Sequence, residues 1–142
     1  MGTIEGGGVL LRENCNPTFS NYRFEDNFAC GPGGGMFCIE GSLPTLTNCV
    51  FDGNVATSNG GGIYCRDSSP TLTNCTLMNN ASSLGGGVYC INSNPGFLNC
   101  LIKLNTASFG SGIYCSGGGS NPTFTDCTIE NNSAEYYGGG IY

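Results

Sequence analysis

The 142-residue sequence predicts an all-β solenoid, a parallel β-helix of about five coils with 25 to 28 residues in each. Near copies of residues 60–65, Gly-Gly-Gly-Ile-Tyr-Cys, recur along the whole chain. They begin near residues 6, 33, 60, 85 and 110, with a partial copy from residue 138. A constant period of this size is typical of stacked repeat proteins. No stretch shows helical periodicity, so residues 1–142 are interpreted as one β-helix unit.

The first strand of each coil follows the glycine triplet, whose missing Cβ atoms are expected to permit tight turns and close approach between coils. An aliphatic residue comes first and an aromatic residue usually follows, as in Ile63 and Tyr64. Neighbouring side chains in a strand face opposite ways. We therefore expect the aliphatic set inside and the aromatic set on the outer surface, although a one-residue register slip would reverse this assignment. The aromatic set is Leu10, Phe37, Tyr64, Tyr89, Tyr114 and Tyr142.

The second strand begins at a proline, whose missing N–H is tolerated at the first residue of a strand. Residues 44–47, Pro-Thr-Leu-Thr, are typical of this segment. We expect its central large residue to point inward between outward hydroxyls. The central residues are Phe19, Leu46, Leu72, Phe97 and Phe124.

The third strand carries a large residue with asparagine three places later, as in Phe51 and Asn54. Asparagine tolerates left-handed backbone and bonds to nearby main chain, so it belongs at a turn. Five equivalent copies favour a structural ladder of stacked amides over an active site. The column is Asn27, Asn54, Asn80, Asn105 and Asn132.

The hydroxyl residues of the second strand predict an outward face with two columns. These columns are Thr18, Thr45, Thr71 and Thr123, and Ser20, Thr47, Thr73 and Thr125. Gly96 and Leu98 interrupt them in coil four. Threonine is an ordinary outward strand residue, but the Thr-x-Thr array also resembles that of insect antifreeze solenoids. Ice binding through this face is therefore kept as an alternative function.

Ten cysteines form two columns and one extra pair. The columns are Cys38, Cys65, Cys90 and Cys115, and Cys49, Cys75, Cys100 and Cys127. Buried free thiols would pack as small apolar residues in such columns. Alternatively, disulfides would join cysteines of neighbouring coils, because these lie near the Cα spacing that a disulfide tolerates. Both interpretations stay open for the columns. The extra cysteines, Cys15 and Cys30, both occur in coil one, and we predict that they pair with each other.

Charge and composition argue against several classes of partner. The net charge is −6, and the four basic residues are scattered over different coils. Nucleic acid is not expected as a partner, because binding to a phosphate backbone needs clustered Lys and Arg. No apolar stretch is long enough to span a bilayer. We expect no cofactor and no metal site, since histidine and CxxC motifs are absent.

The pairing of Gly-Gly-Gly-Ile with Phe-x-x-Asn resembles the repeats of polymorphic outer-membrane proteins, which are autotransporter adhesins. The segment 44–49, Pro-Thr-Leu-Thr-Asn-Cys, is also similar to the wider set of bacterial right-handed parallel β-helix repeats. The resemblance covers residues 6–142. Together with the general right-handedness of parallel crossovers, it implies a right-handed β-helix. It further implies a passenger rod, adhesin or surface scaffold outside the cell or at its surface.

An enzymatic role is not expected. Enzymes that act on acidic polysaccharides share only the predicted fold, and they gather several carboxylates in a cleft. The best acidic column here is Glu13, Glu40 and Asp67, followed by Asn92 and Gly117 in later coils. It is interpreted as a solvated turn edge. A polysaccharide-binding or polysaccharide-cleaving fragment is kept as a further alternative.

Both ends of the predicted rod carry apolar residues and no capping segment. Val9, Leu10, Leu11 and Tyr22 lie in the first coil, and Tyr136, Tyr137 and Tyr142 lie at the other end. Terminal coils of a solenoid need polar caps to remain isolated. We therefore expect head-to-tail contact with a second copy, or with flanking coils of a longer chain. The predicted function is a non-enzymatic extracellular structural or adhesive solenoid, which assembles end to end into a filament or forms part of a longer surface passenger.

Overall fold

The computed structural model describes residues 5–142, and its regular elements are all strands. Fifteen of the strands form three parallel sheets of five, here called sheets A, B and C. Within these residues no helix is long and apolar enough to cross a membrane. Sheet A contains β1 (Val9–Leu11), β5 (Met36–Ile39), β9 (Ile63–Arg66), β12 (Val88–Ile91) and β16 (Ile113–Ser116).

Sheets B and C have the same coil-by-coil order. Sheet B contains β2 (Thr18–Ser20), β6 (Thr45–Thr47), β10 (Thr71–Thr73), β13 (Gly96–Leu98) and β17 (Thr123–Thr125). Sheet C contains β3 (Arg23–Glu25), β7 (Val50–Asp52), β11 (Thr76–Met78), β14 (Leu101–Lys103) and β18 (Thr128–Glu130). Each coil therefore contributes one strand to each sheet, which confirms the predicted solenoid.

A fourth strand position follows sheet C, where the sequence predicted only three strands per coil. Here β4 (Phe28–Ala29) pairs with β8 (Val55–Ala56), and β15 (Thr106–Phe109) pairs with β19 (Ser133–Tyr137). Ala81 bridges Val55 and Thr106, so the four strands form one column, here called sheet D. This position has two residues in β4 and β8, only a bridge in coil three, and four or five residues in β15 and β19. It therefore leaves no regular alternating pattern in the sequence.

Equivalent residues of successive coils lie directly over each other. Ile63 pairs with Val88, and Val88 pairs with Ile113. The aliphatic residues of sheet A are packed in the core with the central residues of sheets B and C, as predicted. Ile63, Leu72 and Leu77, one from each sheet of coil three, are all fully buried. Each inner side chain is covered mainly by its counterparts above and below, as expected for a stack of repeats.

The aromatic column of sheet A points away from this core but is not exposed in the way the sequence predicted. Phe37, Tyr64, Tyr89 and Tyr114 stack with ring centroids 4.9, 5.1 and 5.3 Å apart. With Ile39 and Leu84 they form a second apolar cluster outside the coil. Tyr64 and Tyr89 are each only 8% exposed. Burial raises the pKa of the Tyr64 hydroxyl.

The glycine triplets bring the backbones of adjacent coils into close contact. A Cβ atom at Gly61 would lie 2.5 Å from the carbonyl oxygen of Gly86, and one at Gly62 would lie 2.5 Å from that of Gly87. Such contacts are far inside van der Waals distance, so no larger residue fits without separating the coils. The first glycine of this triplet, Gly60, has a φ of +67°, which glycine adopts without steric cost.

Candidate functional site

An asparagine ladder runs the length of the coil stack, as the sequence predicted. Nδ2 of Asn54 donates to Oδ1 of Asn80 at 3.0 Å, and Nδ2 of Asn80 donates to Oδ1 of Asn105 at 3.0 Å. The same Nδ2 of Asn80 also donates to the carbonyl of Phe51 at 3.0 Å. Asn54, Asn80 and Asn105 are fully buried, and their side-chain polar atoms all have hydrogen-bond partners in the ladder or in the backbone. These amides link each coil to the next.

Two further ladders were not predicted. One is a buried serine column, in which each backbone N–H donates to the hydroxyl one coil further on. Ser42 N donates to Ser68 Oγ at 3.1 Å, and Ser68 N donates to Ser93 Oγ at 3.2 Å. The signal was present in the sequence, because these serines always stand two residues before the proline of the second strand. The column is Ser42, Ser68, Ser93 and Ser120.

The second unpredicted ladder lies on the surface, at the first residue of the two-residue turn between sheets B and C. Its members have left-handed φ angles between 51° and 62°, and asparagine is among the few residues that tolerate them. Nδ2 of Asn99 donates to Oδ1 of Asn74 at 2.7 Å, and Asn74 donates to Asn48 at 3.2 Å. The column is Asn21, Asn48, Asn74, Asn99 and Asp126.

All ten cysteines are free thiols, and the predicted Cys15–Cys30 disulfide is wrong for this structure. Cys15 occupies the serine column in coil one, where its N–H donates to Ser42 Oγ. Cys30 lies between β4 and β5, where the chain enters sheet A, whereas Cys15 lies where the chain leaves it. A four-residue strand, about 13 Å long, separates these two corners. Disulfides need Cα atoms within about 7 Å, so the two residues cannot pair.

The two cysteine columns lie in the apolar core. In the sheet A column the cysteines are register partners, as in Cys65 and Cys90. The other column lies at the turns between sheets B and C. Cys75 Sγ donates to the carbonyl of Thr73 at 3.3 Å, and Cys100 Sγ donates to that of Leu98 at 3.3 Å. Burial raises the pKa of Cys38 to about 11. Cys38 therefore favours its neutral form, and the buried thiols pack as small apolar side chains.

The predicted threonine face lies on the outer side of sheet B. Thr18, Thr45, Thr71, Thr123 and Thr125 are exposed, and Thr47 and Thr73 are half-buried. Register pairing aligns Thr45 with Thr71 and Thr47 with Thr73. Hydroxyls are thus spaced about 4.8 Å apart between coils and about 6.6 Å apart along each strand. Gly96 and Leu98 interrupt both columns, as expected.

The acidic column forms part of the turn between sheets A and B. Glu13, Glu40 and Asp67 have left-handed φ angles of 59°, 57° and 51°, and all three are exposed. This placement agrees with the predicted solvated turn edge. Across residues 5–142, no group of three or more cysteines or carboxylates could hold a metal ion, and no pocket is detected.

Coil one forms the first end of the rod, here called the β1 end. The strands β1, β2, β3 and β4 each pair on one side only. Leu10 is 45% exposed and Tyr22 is 55% exposed, while Val9 is half-buried. Leu11 was predicted as part of an end surface, but it is buried in the core. It shares the inward face of β1 with Val9, because the two residues are two positions apart.

The opposite end of the rod, here called the β19 end, is aromatic. Tyr136 is 60% exposed, Tyr137 65% and Tyr142 52%. The ring of Phe109 lies 5.2 Å from that of Tyr136, and the ring of Tyr142 lies 5.3 Å from that of Tyr114. The structure therefore places the predicted tyrosines together in one exposed aromatic patch.

Comparison with protein families gives one match. A family model described as a right-handed β-helix region matches residues 3–142, which is almost the whole chain. A search of curated protein sequences found no match, and a search of solved structures found none either.

Proposed function

Because the chain belongs to the right-handed β-helix family, we propose that it is a non-enzymatic structural rod that works outside the cell or at its surface. Its coils extend the rod by stacking on further coils of the same kind. These coils belong to a second copy of the chain or to a longer chain. The proposed adhesive role comes from the resemblance of the Gly-Gly-Gly-Ile and Phe-x-x-Asn repeats to those of autotransporter adhesins.

The observation that carries this proposal is the uniformity of the contact between coils. Each step along the rod repeats the same register, the same amide ladder and the same glycine contacts. The outer strands β2 and β17 pair on one side only and keep this pattern. Another coil could therefore be added through contacts that the chain already uses four times. A head-to-tail contact that does not close on itself produces a filament.

Sedimentation and negative-stain electron microscopy test the assembly. We expect the 142-residue chain to form rods longer than the about 24 Å of five coils, in proportions that rise with protein concentration. A monomer that remains stable at millimolar concentration would contradict head-to-tail assembly.

Ice binding is a second candidate, because the threonine face is exposed and its residues are in register between coils. The strands of sheet B are short and aligned, so their outward hydroxyls form a regular two-column array. The substitution Thr71→Lys would interrupt this array at its centre. Thr76→Lys places the same charge on neighbouring sheet C of the same coil. Thermal hysteresis that is lost only in Thr71→Lys would support ice binding, and absence of hysteresis in the parent chain would exclude it.

A further inference from the structure

The cysteine column of sheet A stacks sulfur on sulfur in the middle of the core. Cys65 and Cys90 are register partners on β9 and β12, and both side chains are 0% exposed. Their sulfurs are hydrogen-bonded to each other. Both belong to the buried cluster that joins the apolar residues of sheets A, B and C. The pair lies in coils three and four, so its surroundings do not depend on the outermost coils.

The spacing of this pair is too wide for a disulfide. Register partners in a parallel sheet point the same way, so their Cβ atoms are about as far apart as the strands, about 4.8 Å. A disulfide brings two Cβ atoms to about 3.8 Å and two sulfurs to about 2.05 Å. Closing this bond would pull coils three and four together by about 1 Å. These coils are already held at hydrogen-bonding distance along both strands.

The same spacing matches a metal ion bound between two sulfurs. Bonds from thiolate sulfur to a metal are about 2.3 Å long, so an ion midway between two sulfurs needs them about 4.6 Å apart. Soft ions prefer thiolate ligands, and Cu⁺ and Hg²⁺ accept two of them in a straight line. The sequence predicted no metal site because it lacks the convergent ligands that a tetrahedral ion needs. A linear ion needs only two ligands.

A buried site must also be close to neutral, because an unpaired charge is costly in an apolar core. Two thiolates neutralise Hg²⁺, and one thiolate with one thiol neutralises Cu⁺. Each thiolate ligand forms when a metal–sulfur bond replaces an S–H bond, and the proton passes to solvent. The ion and the sulfurs keep their oxidation states, so the reaction needs no oxidant or reductant.

The other cysteine column provides a comparison within the chain. Cys75 Sγ donates to the carbonyl of Thr73 at 3.3 Å and lies 3.6 Å from that of Leu46. Loss of the thiol proton there would leave a thiolate facing two carbonyl oxygens that have lost their donor. The thiols of Cys65 and Cys90 instead bond to sulfurs of their own column. The sheet A pair is therefore the better set of metal ligands.

We propose that Cys65 and Cys90 bind a soft metal ion between them in linear, two-coordinate geometry. The ion links coil three to coil four through two metal–sulfur bonds inside the core. Cu⁺ and Hg²⁺ share this chemistry and differ in charge. Because both sulfurs are fully buried, the ion enters while the chain folds or when the two coils separate transiently.

The experiment uses a parent chain in which Cys15→Ser and Cys30→Ser remove the two exposed thiols. Cys90→Ala then removes one ligand of the pair, and Cys100→Ala is the matched control, a buried thiol of the other column in the same coil. Each chain is refolded with Hg²⁺, with Cu⁺ in the absence of oxygen, or with Zn²⁺. Dialysis against a small thiol then removes weakly held ions, and circular dichroism checks that each variant keeps its β structure.

We expect the parent and Cys100→Ala to retain about one Hg²⁺ or Cu⁺ per chain and Cys90→Ala to retain at least about tenfold less. Zn²⁺ should be lost from all three chains. Acid–base titration should show about two protons released per Hg²⁺ and about one per Cu⁺. Retention of only one of these ions would identify it as the ligand of the site.

X-ray absorption of the loaded parent should show two sulfur ligands at about 2.3 Å. This measurement needs no variant, so it decides the matter even when Cys90→Ala fails to fold. Loss of both Hg²⁺ and Cu⁺ from the parent would overturn the proposal. Equal retention by Cys90→Ala and Cys100→Ala, retained Zn²⁺, or three or more sulfur ligands would also overturn it.

Discussion

Coil three and coil five contain the same columns, but only coil three lies between two complete neighbours. The central residues of its sheets B and C, Leu72 and Leu77, are fully buried, whereas Phe124 and Ile129 of coil five are half-buried. The asparagines differ in the same way, because Asn80 is fully buried and Asn132 is half-buried. This difference shows that a column residue is buried by the coils on either side of it. Equivalent substitutions should therefore cost less in coil five.

The largest expected effect comes from removing a core side chain. Leu77→Ala should lower the free energy of unfolding by about 4 kcal/mol, because it leaves a cavity inside a fully packed stack. Ile129→Ala should cost about 1 to 2 kcal/mol, since this residue is covered from one side and its site can relax. Denaturant titration of both variants measures the difference. Equal losses would show that neighbouring coils do not determine burial energy.

The glycine contacts give the next largest difference. Gly62→Ala places a methyl group 2.5 Å from the Gly87 carbonyl and should destabilise the chain by about 3 kcal/mol. Gly140→Ala occupies the equivalent triplet position but has ordinary contacts, so its stability should stay within about 0.5 kcal/mol of the parent. Thermal melts of the two variants compare them. A tolerated Gly62→Ala would contradict the close approach of coils three and four.

The buried Cys38 thiol predicts a loss of stability at high pH. The pKa of Cys38 is raised from 9.0 to about 11, so the folded state holds its proton where the unfolded state loses it. Its stabilising contribution is complete below pH 9 and falls between about pH 9 and 11, by about 2 kcal/mol. Cys38→Ala should reduce this dependence. Urea titrations from pH 8 to 11 test it, and identical pH profiles for parent and variant would contradict a buried neutral thiol.

The smallest effect concerns the turn after sheet C. Leu104 has a φ of +56° in a column that otherwise contains Asp26, Gly53, Asn79 and Asn131. Leucine is strained in this conformation, so Leu104→Asn should stabilise the chain by about 1 kcal/mol. The reciprocal change, Asn79→Leu, should destabilise it by a similar amount. Melting temperatures that move in the same direction for both variants would exclude backbone strain as the cause.

Much of the fold was predictable because columns in the sequence become columns in space. The aliphatic positions at Ile63 and Val88, the inward Leu72 and the Asn80 ladder were each predicted from spacing alone. The buried serine column was not predicted, because serine is common on surfaces and only its fixed distance from Pro44 or Pro70 marks the column. Sheet D was not predicted because its strands vary from two to five residues and coil three contributes only a bridge, which leaves no regular periodicity.

Predictions that required partners across coils were less successful. The Cys15–Cys30 disulfide was wrong because the sequence does not show that sheet A separates the two corners. The aromatic column was correctly directed away from the core, but its burial depends on stacking between coils, as between Tyr64 and Tyr89. Residues 138–142 were recognised as a partial repeat, while their pairing with β16 became visible only in the structure.

The helical rise of assembled filaments tests the stacking account most directly. Cryo-electron microscopy of filaments formed by the parent chain measures this rise per subunit. In-phase stacking of the five coils predicts a rise of about 24 Å, which is five layers of about 4.8 Å. A rise unrelated to the spacing between coils would contradict head-to-tail stacking.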